Sequence, residues 1–566
     1  MQQSSSVKIQ RCDGQAVRQA LLDKREVAFL DVREEDPHAQ SHPLFAANFP
    51  LSRIELDAYG KLPRRDVWIV TLDEGDLPLS ESDAMFAAER LVALGYTNVS
   101  ILEGGVRAWA AGGGELFKDV NVPSKSFGEL VEAHNHTPSL SAQEVQTLIQ
   151  EKADVVIVDA RRFDEYNTMS IPTAISCPGA ELVLRIAELA PRPQTRVIVN
   201  CAGRTRSIIG TQSLINAGIP NKVSALRNGT IGWTLADQQL EKGQTRKFTE
   251  VSSATTQSAA VRARSVADRA GVKRATLANV ETWQHQSERT TYFFDTRNPE
   301  EFVAGHLAGF RSTPGGQLVQ ETEMVAPVRG ARLVLADTDG VRANMTASWL
   351  AQMAWDVYVL DDAPRQAFNT EGVWQAPQPT LPECPMVGAD VLSQWLEESD
   401  KGAQASRQKL EKTPTQTQTQ TQTQTLVVDL SRHAQYVQGH IPGARYVLRS
   451  QFRQALHALP QAQRVVLTCA DGLQSRFAFA EVAQLFAATT PQAQVMVLEG
   501  GNAAWVKAGL PVEKGPTNLV SPPLDRYKRP YEGTDNAKEA MQGYLDWEFG
   551  LVEQLGRDGT HHFWVL

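Results

Sequence analysis

Short apolar runs rich in β-branched residues alternate with amphipathic stretches along most of the chain. In one clear instance Ala142 to Gln150 has helical spacing and Val155 to Val158 reads as a buried strand. Glu181 to Leu189 is again helical, Val197 to Val199 is a second strand, and Ile208 to Ile215 a further helix. Strands that are continuously apolar, rather than alternating, belong to sheets covered on both faces. The pattern therefore predicts an α/β fold with a mostly parallel central sheet flanked by helices.

The pattern then repeats. Apolar runs ending in aspartate recur at Asp31, Asp159, Asp295 and Asp429, a period of roughly 130 residues, which marks duplicated domains rather than a solenoid. Three of the four continue as Asp-x-Arg, at Arg33, Arg161 and Arg297, while the fourth has Ser431. A second apolar run closes at a nearly constant distance, at Leu72, Cys201, Asp337 and Cys469. Gly439-His440-Ile441-Pro442-Gly443-Ala444 is echoed by Gly305-His306-Leu307-Ala308-Gly309 and more weakly by Ser170-Ile171-Pro172-Thr173-Ala174. Trp109, Trp233 and Trp505 each follow a glycine by one helical turn, which suits core packing.

These landmarks divide the chain into a first unit at 1–125, a second at 126–250, a third at 262–380 and a fourth at 381–515. A helical tail follows at 516–566. A polar stretch from Gly243 to Ala259 separates the middle units. The Thr-Gln tract from Thr415 to Thr425 offers no apolar face and reads as a surface insertion in the fourth unit. Tyr544, Trp547, Phe549 and Leu551 in the tail suggest a helix docked on a neighbouring domain, with a partner-binding helix as the alternative.

Composition narrows the class. The 566 residues are 42% hydrophobic and 21% charged with a net charge of −9, which fits globular domains and argues against a nucleic-acid partner. Met1 to Gln10 lacks an apolar core, so no signal peptide is expected, and no run is long enough to span a membrane. Five cysteines, sparse and odd in number, point to free thiols in a reducing, cytoplasmic setting. His134 and His136 have no third ligand nearby, so no metal or other cofactor is implied.

The chemistry concentrates in Asn200-Cys201-Ala202-Gly203-Arg204-Thr205-Arg206-Ser207. A thiol between a strand end and a helix start faces unpaired N–H groups and the positive end of the helix dipole, which favours thiolate. In such sheets ligands bind at the carboxyl ends of strands. The N–H groups of Ala202, Gly203, Arg204, Thr205 and Arg206 would hold an anion, with Gly203 allowing a close bend. Arg204 and Arg206 would attract it, Arg206 partly in a structural role.

Taken together, Asp-x-Arg, Gly-His-Ile-Pro-Gly-Ala, the cysteine loop closing on Arg-Ser and the late Glu-Gly-Gly with tryptophan resemble rhodanese domains, in four tandem copies. The resemblance implies a sulfurtransferase in which Cys201 takes sulfane sulfur from a donor such as thiosulfate and passes it to a thiol or cyanide. It also implies that Asp159 and Arg161 form a salt-linked pair supporting the loop. Cysteine-dependent phosphatases have a loop one residue longer between cysteine and arginine and a general-acid aspartate, neither of which is present.

Elsewhere the loop is altered. The first unit has Leu72 at the expected nucleophile position, followed by Asp73 and Glu74. The third has Asp337 with Arg342, where the aspartate could pair with the arginine and mimic an anion. The fourth keeps Cys469 but has Asp471 in the loop and Gln474 in place of arginine, so a weaker thiol is expected. Cys177 reads as a buried structural thiol or a resolving one, and Cys12 and Cys384 have no chemical context. The competing function is a scaffold whose degenerate domains bind partners.

Overall fold

The computed structural model describes residues 8–412 and 423–566. It contains four sheets, one per unit. In the second unit the strand order is Ser139–Leu140, Val223–Leu226, Arg196–Asn200, Val155–Asp159, Ile175–Ser176, all parallel. The third and fourth units repeat that five-stranded order. The first differs: its sheet has six strands, the last borrowed from the third unit, where Val328 and Arg329 pair antiparallel with Ala28 and Val27.

Local sequence explains the elements. Val197, Ile198 and Val199 are fully buried, as a central parallel strand requires. Ser141 and Glu144 form a reciprocal capping box that starts the helix Ala142–Gln150. Trp109, Trp233 and Trp505 are buried, and each indole N–H donates to a carbonyl six residues further on, at Glu115, Gln239 and Pro511. Each ring thereby closes its unit's C-terminal turn while satisfying its polar edge.

Two expectations change. Of the Thr-Gln tract, Thr415 to Gln422 lie outside the described residues, but its end is not an insertion. Thr423 opens the strand Thr423–Asp429, and Thr425 is buried opposite Arg464. Threonine is β-branched, so ladder pairing and burial recruit it once a neighbouring strand is present. The stretch around Gly243 to Ala259 is also not simply a spacer, because Ser253 begins a helix to Arg269 whose Ala259, Ala263 and Val266 pack into the second unit's core.

The helix Val122–Asn135, which follows the first unit, is mostly buried and lies against the helix Thr205–Asn216 of the second. The tail forms two helices, Lys538–Phe549 and Leu551–Asp558. The second packs on Val122–Asn135 and the first reaches both that helix and Gly229–Leu235. No described helix is long and apolar enough to cross a membrane.

Candidate active site

The strand Arg196–Asn200 stops one residue before Cys201, and the helix Thr205–Asn216 begins four residues after it. Gly229 fixes the loop from the opposite side. It has φ +54°, and a Cβ there would lie 2.3 Å from the Cys201 carbonyl oxygen, to which Thr230 N donates at 2.9 Å. Gly229→Ala is expected to cost at least about 2 kcal/mol, from left-handed strain plus this backbone clash. A thermal melt run beside an activity assay would show both losses together.

The same glycine contact aligns three of the four loops and corrects one expectation. Gly501 approaches Cys469 O and Gly105 approaches Asp73 O, so Asp73, not Leu72, occupies the nucleophile position of the first unit. Strand register agrees, since Asp31 pairs with Leu72 as Asp159 pairs with Asn200. Asp73 accepts from the N–H groups of Gly75 and Ala84.

In the third unit Asp337 accepts from Gly340 N and Ala343 N. It does not pair with Arg342, which is bound by Asp339, Glu301 and Glu181. Both aspartates thus bond the loop amides that a substrate anion would otherwise need. Burial, then the neighbouring Asp339, pushes the Asp337 carboxyl up to about 7.

Beneath the Cys201 loop, Arg161 donates to both oxygens of Asp159 at 2.9 and 2.7 Å and to the Met169 carbonyl at 2.6 Å. Asn200 donates to Asp159 at 2.9 Å. These groups are buried, so they fix the strand ends.

The two loop arginines differ from the expected donor-binding pair. Arg204 points away to the helix Val122–Asn135, where Glu129 takes Nε and Nη2 at 2.7 Å each and Glu132 binds as well. Its guanidinium lies 4.3 Å from the Phe549 ring centroid. Its charge is committed to two carboxylates. Arg206 donates to Glu165 at 2.7 and 2.8 Å. Burial lowers the Arg206 pKa, but Glu165 beside it more than compensates.

Cys201 is 1% exposed. Its thiol lies 3.4 Å from Ser207 Oγ. Burial pushes its pKa up, and the Arg206 charge and the Ser207 hydroxyl and N–H only partly offset this. The expected thiolate-favouring environment is therefore overturned in this closed form. Beside the loop, Tyr531, Met541, Tyr544 and Leu545 of the tail form one apolar cluster with Ala202 and Ile231, a roof over the loop. Gly203 is needed for that roof rather than for a left-handed bend. A Cβ there would stand 3.2 Å from Tyr544 Cε1 and 3.4 Å from Glu548 Oε2. Sequence reasoning assigned the tail a docking role without finding Tyr531 or Glu548. Lys125 of the linker helix also escaped it, although it meets Asp119 at 2.9 Å and faces the rings of Tyr531, Tyr544 and Trp547.

Other thiols sit apart. Cys469 has the Ser475 N–H at 3.4 Å and the Ser475 hydroxyl at 3.6 Å, but also Asp471 Oδ1 at 3.7 Å. Cys177 is fully buried, and its pKa is pushed well up by burial and then Glu181. Among the described residues no group of histidine, cysteine and carboxylate side chains could hold a metal, His134 and His136 included.

The rhodanese-like domain family matches residues 15–112, 141–236 and 412–508. The chain belongs to the rhodanese family. The third unit escapes that match yet keeps the strand order. The crystal structure of thiosulfate sulfurtransferase from Pseudomonas aeruginosa is 59% identical with a TM-score of 0.92, covering 99% of this chain and 100% of that one. A 3-mercaptopyruvate sulfotransferase structure from Escherichia coli is 19% identical over 42% of this chain and 99% of its own, with a TM-score of 0.21. The BH2092 protein of Bacillus halodurans is 21% identical over 20% of this chain and 85% of its own, with a TM-score of 0.18. Among curated proteins no sequence match is found.

Proposed function

We propose that this protein is a thiosulfate sulfurtransferase of the rhodanese type, working through a persulfide on Cys201. The observation that carries the reading is that Cys201 alone combines a thiol, a loop free of carboxylates at a helix N-terminus, and a closing loop arginine; the other three units each lack at least two of these. The 59% identical thiosulfate sulfurtransferase supports thiosulfate as the donor.

In this reading the Cys201 thiolate attacks the outer sulfur of thiosulfate. The S–S bond of the donor breaks and sulfite leaves with the electron pair. The persulfide then hands its terminal sulfur to cyanide or a thiol, regenerating the thiolate, so the kinetics are ping-pong. The helix dipole and loop N–H groups stabilise the anionic sulfur. Because burial holds the proton on Cys201 in the closed form, donor entry and thiol ionisation belong to a state in which the tail has moved aside.

Treating the protein with thiosulfate should add the mass of one sulfur atom to the peptide containing Cys201. Cyanide should remove it. An adduct on Cys469 or Cys177 instead, or none, would overturn the assignment.

A further inference from the structure

The first and third units, whose loops carry Asp73 and Asp337 instead of a cysteine, share a cleft of about 850 Å³. Its walls include Tyr59, Gly60, Arg65, Trp283, Arg311 and Trp374. No residue of the second unit or of the tail lines it, so it is separate from the Cys201 site. The volume suits a small organic molecule rather than a lone ion.

The arginines of the cleft fall into two groups. Arg64 is paired with Glu26 and Asp66, and Arg289 with Asp356 and Glu26. Arg65 and Arg311 form no ion pair among the described residues. The Arg65 guanidinium lies 3.6 Å from the Tyr59 ring centroid, and its Nη1 is buried without a hydrogen-bond partner. Arg311 gives Nη1 to the Gly60 carbonyl at 2.6 Å. It otherwise sits among the rings of Tyr292, Phe294 and Trp374, 5.0 to 5.3 Å from their centroids. Burial pushes its pKa down to about 10, with only Tyr292 opposing. Arg332, stacked 4.0 Å from Trp283, is 6% exposed, and its Nε has no hydrogen-bond partner. Cations taken out of water without a counter-ion are costly, and an open guanidinium fork fits an oxyanion.

We propose that this cleft binds an organic phosphate bearing a planar ring, of the size of a nucleoside monophosphate, with its phosphate on Arg65 and Arg311. The site goes beyond sulfur transfer and does not depend on it. Both arginines meet the same short segment, Arg65 stacking on Tyr59 and Arg311 bonding Gly60, so a single group can engage the two. Two unpaired guanidinium groups call for two negative charges; a phosphate monoester carries nearly two at neutral pH, a carboxylate only one. Tyr59, Trp283 and Trp374 are half-buried in the walls, each with a guanidinium over its ring. A wall that alternates aromatic and cationic groups suits a ligand that is both flat and anionic.

Titration calorimetry of the full chain with adenosine monophosphate tests this, with adenosine and inorganic phosphate as the two halves of the ligand. The nucleotide should bind at least about tenfold more tightly than either half. Arg311→Gln and Arg65→Gln should each weaken it by about tenfold or more, the scale of one lost charge-assisted hydrogen bond. Arg65 lies in a turn, so Arg65→Gln serves where Arg311→Gln fails to fold. Cys201→Ser should leave the affinity unchanged. The proposal is overturned if adenosine, guanosine, cytidine and uridine monophosphates all fail to bind at about 1 mM. It is equally overturned if phosphate alone binds as tightly as the nucleotide, if a folded Arg65→Gln keeps full affinity, or if Cys201→Ser loses it. None of these outcomes bears on the nucleophile, which the sulfur adduct on Cys201 decides separately.

Discussion

Cys201→Ser is expected to lower thiosulfate-to-cyanide turnover by roughly a thousandfold or more, the scale seen when a covalent nucleophile is removed. A hydroxyl at the same place cannot form the persulfide, and the buried site excludes a water route. The fold should be untouched, because serine can keep a hydrogen bond with Ser207 and the loop carbonyl contacts are made by backbone. Cys469→Ser and Cys177→Ser should leave turnover unchanged within error. Burial raises the Cys469 pKa, with Asp471 and Asp429 adding to it against Ser475. Its loop also has Gln474 in place of an arginine. Equal losses in Cys201→Ser and Cys469→Ser would mean that sulfur passes through both thiols and would sink the single-site view.

The fold was readable because a parallel sheet buried on both faces leaves continuous apolar runs, and four copies made the register visible. The position of Cys201 followed from the same logic, a strand end followed by a helix start. Leu72 shows the limit: the run stays apolar to the strand's last residue, so hydrophobicity alone misplaced the first unit's equivalent by one position. Arg204 failed for a different reason. Its partners Glu129 and Glu132 lie one turn apart on a helix that belongs to a preceding stretch of chain, and only the packing of Val122–Asn135 on Thr205–Asn216 brings them together. Acidic residues spaced i, i+3 on the same helix as Val122 and Phe127 were the available signal. Tyr531 and Glu548 had none, and Tyr544 was read as docking without its target, since contacts between residues hundreds of positions apart leave no local period. The pKa of Cys201 was misjudged because a strand end followed by a helix start says nothing of how deeply the thiol is buried.

The Arg206–Glu165 pair divides structural from electrostatic roles. Glu165 sits at the third position of the helix Phe163–Thr168, and Glu301 holds the same place in the third unit, bonded to Arg342. In the fourth unit both members are replaced, by Gln435 and Gln474. A pair kept in a unit that has Asp337 instead of a loop cysteine, and lost together elsewhere, serves the loop's shape first. Arg206→Ala is therefore expected to cost about 2 kcal/mol, because the half-buried Glu165 loses its bidentate partner and keeps only Arg162, at 3.6 Å, measured by chemical denaturation. It should also cut turnover, since Cys201 loses the charge that most lowers its pKa against burial.

The double change Arg206→Ala with Glu165→Ala should restore much of the stability and none of the turnover. Recovery of both would confine Arg206 to structure. The pH dependence carries the sign independently. Burial pushes Glu165 up, but Arg206 more than offsets it and holds the carboxyl down at about 2. Its contribution to wild-type stability is thus present above the ordinary glutamate range and is lost as pH falls from about 4.5 toward 2. In Arg206→Ala the carboxyl keeps only the weaker pull of Arg161 and Arg162, its pKa rises, and most of that acid-linked loss should disappear. A variant that loses stability between those pH values as steeply as the wild type would refute the ion pair as the loop's electrostatic anchor.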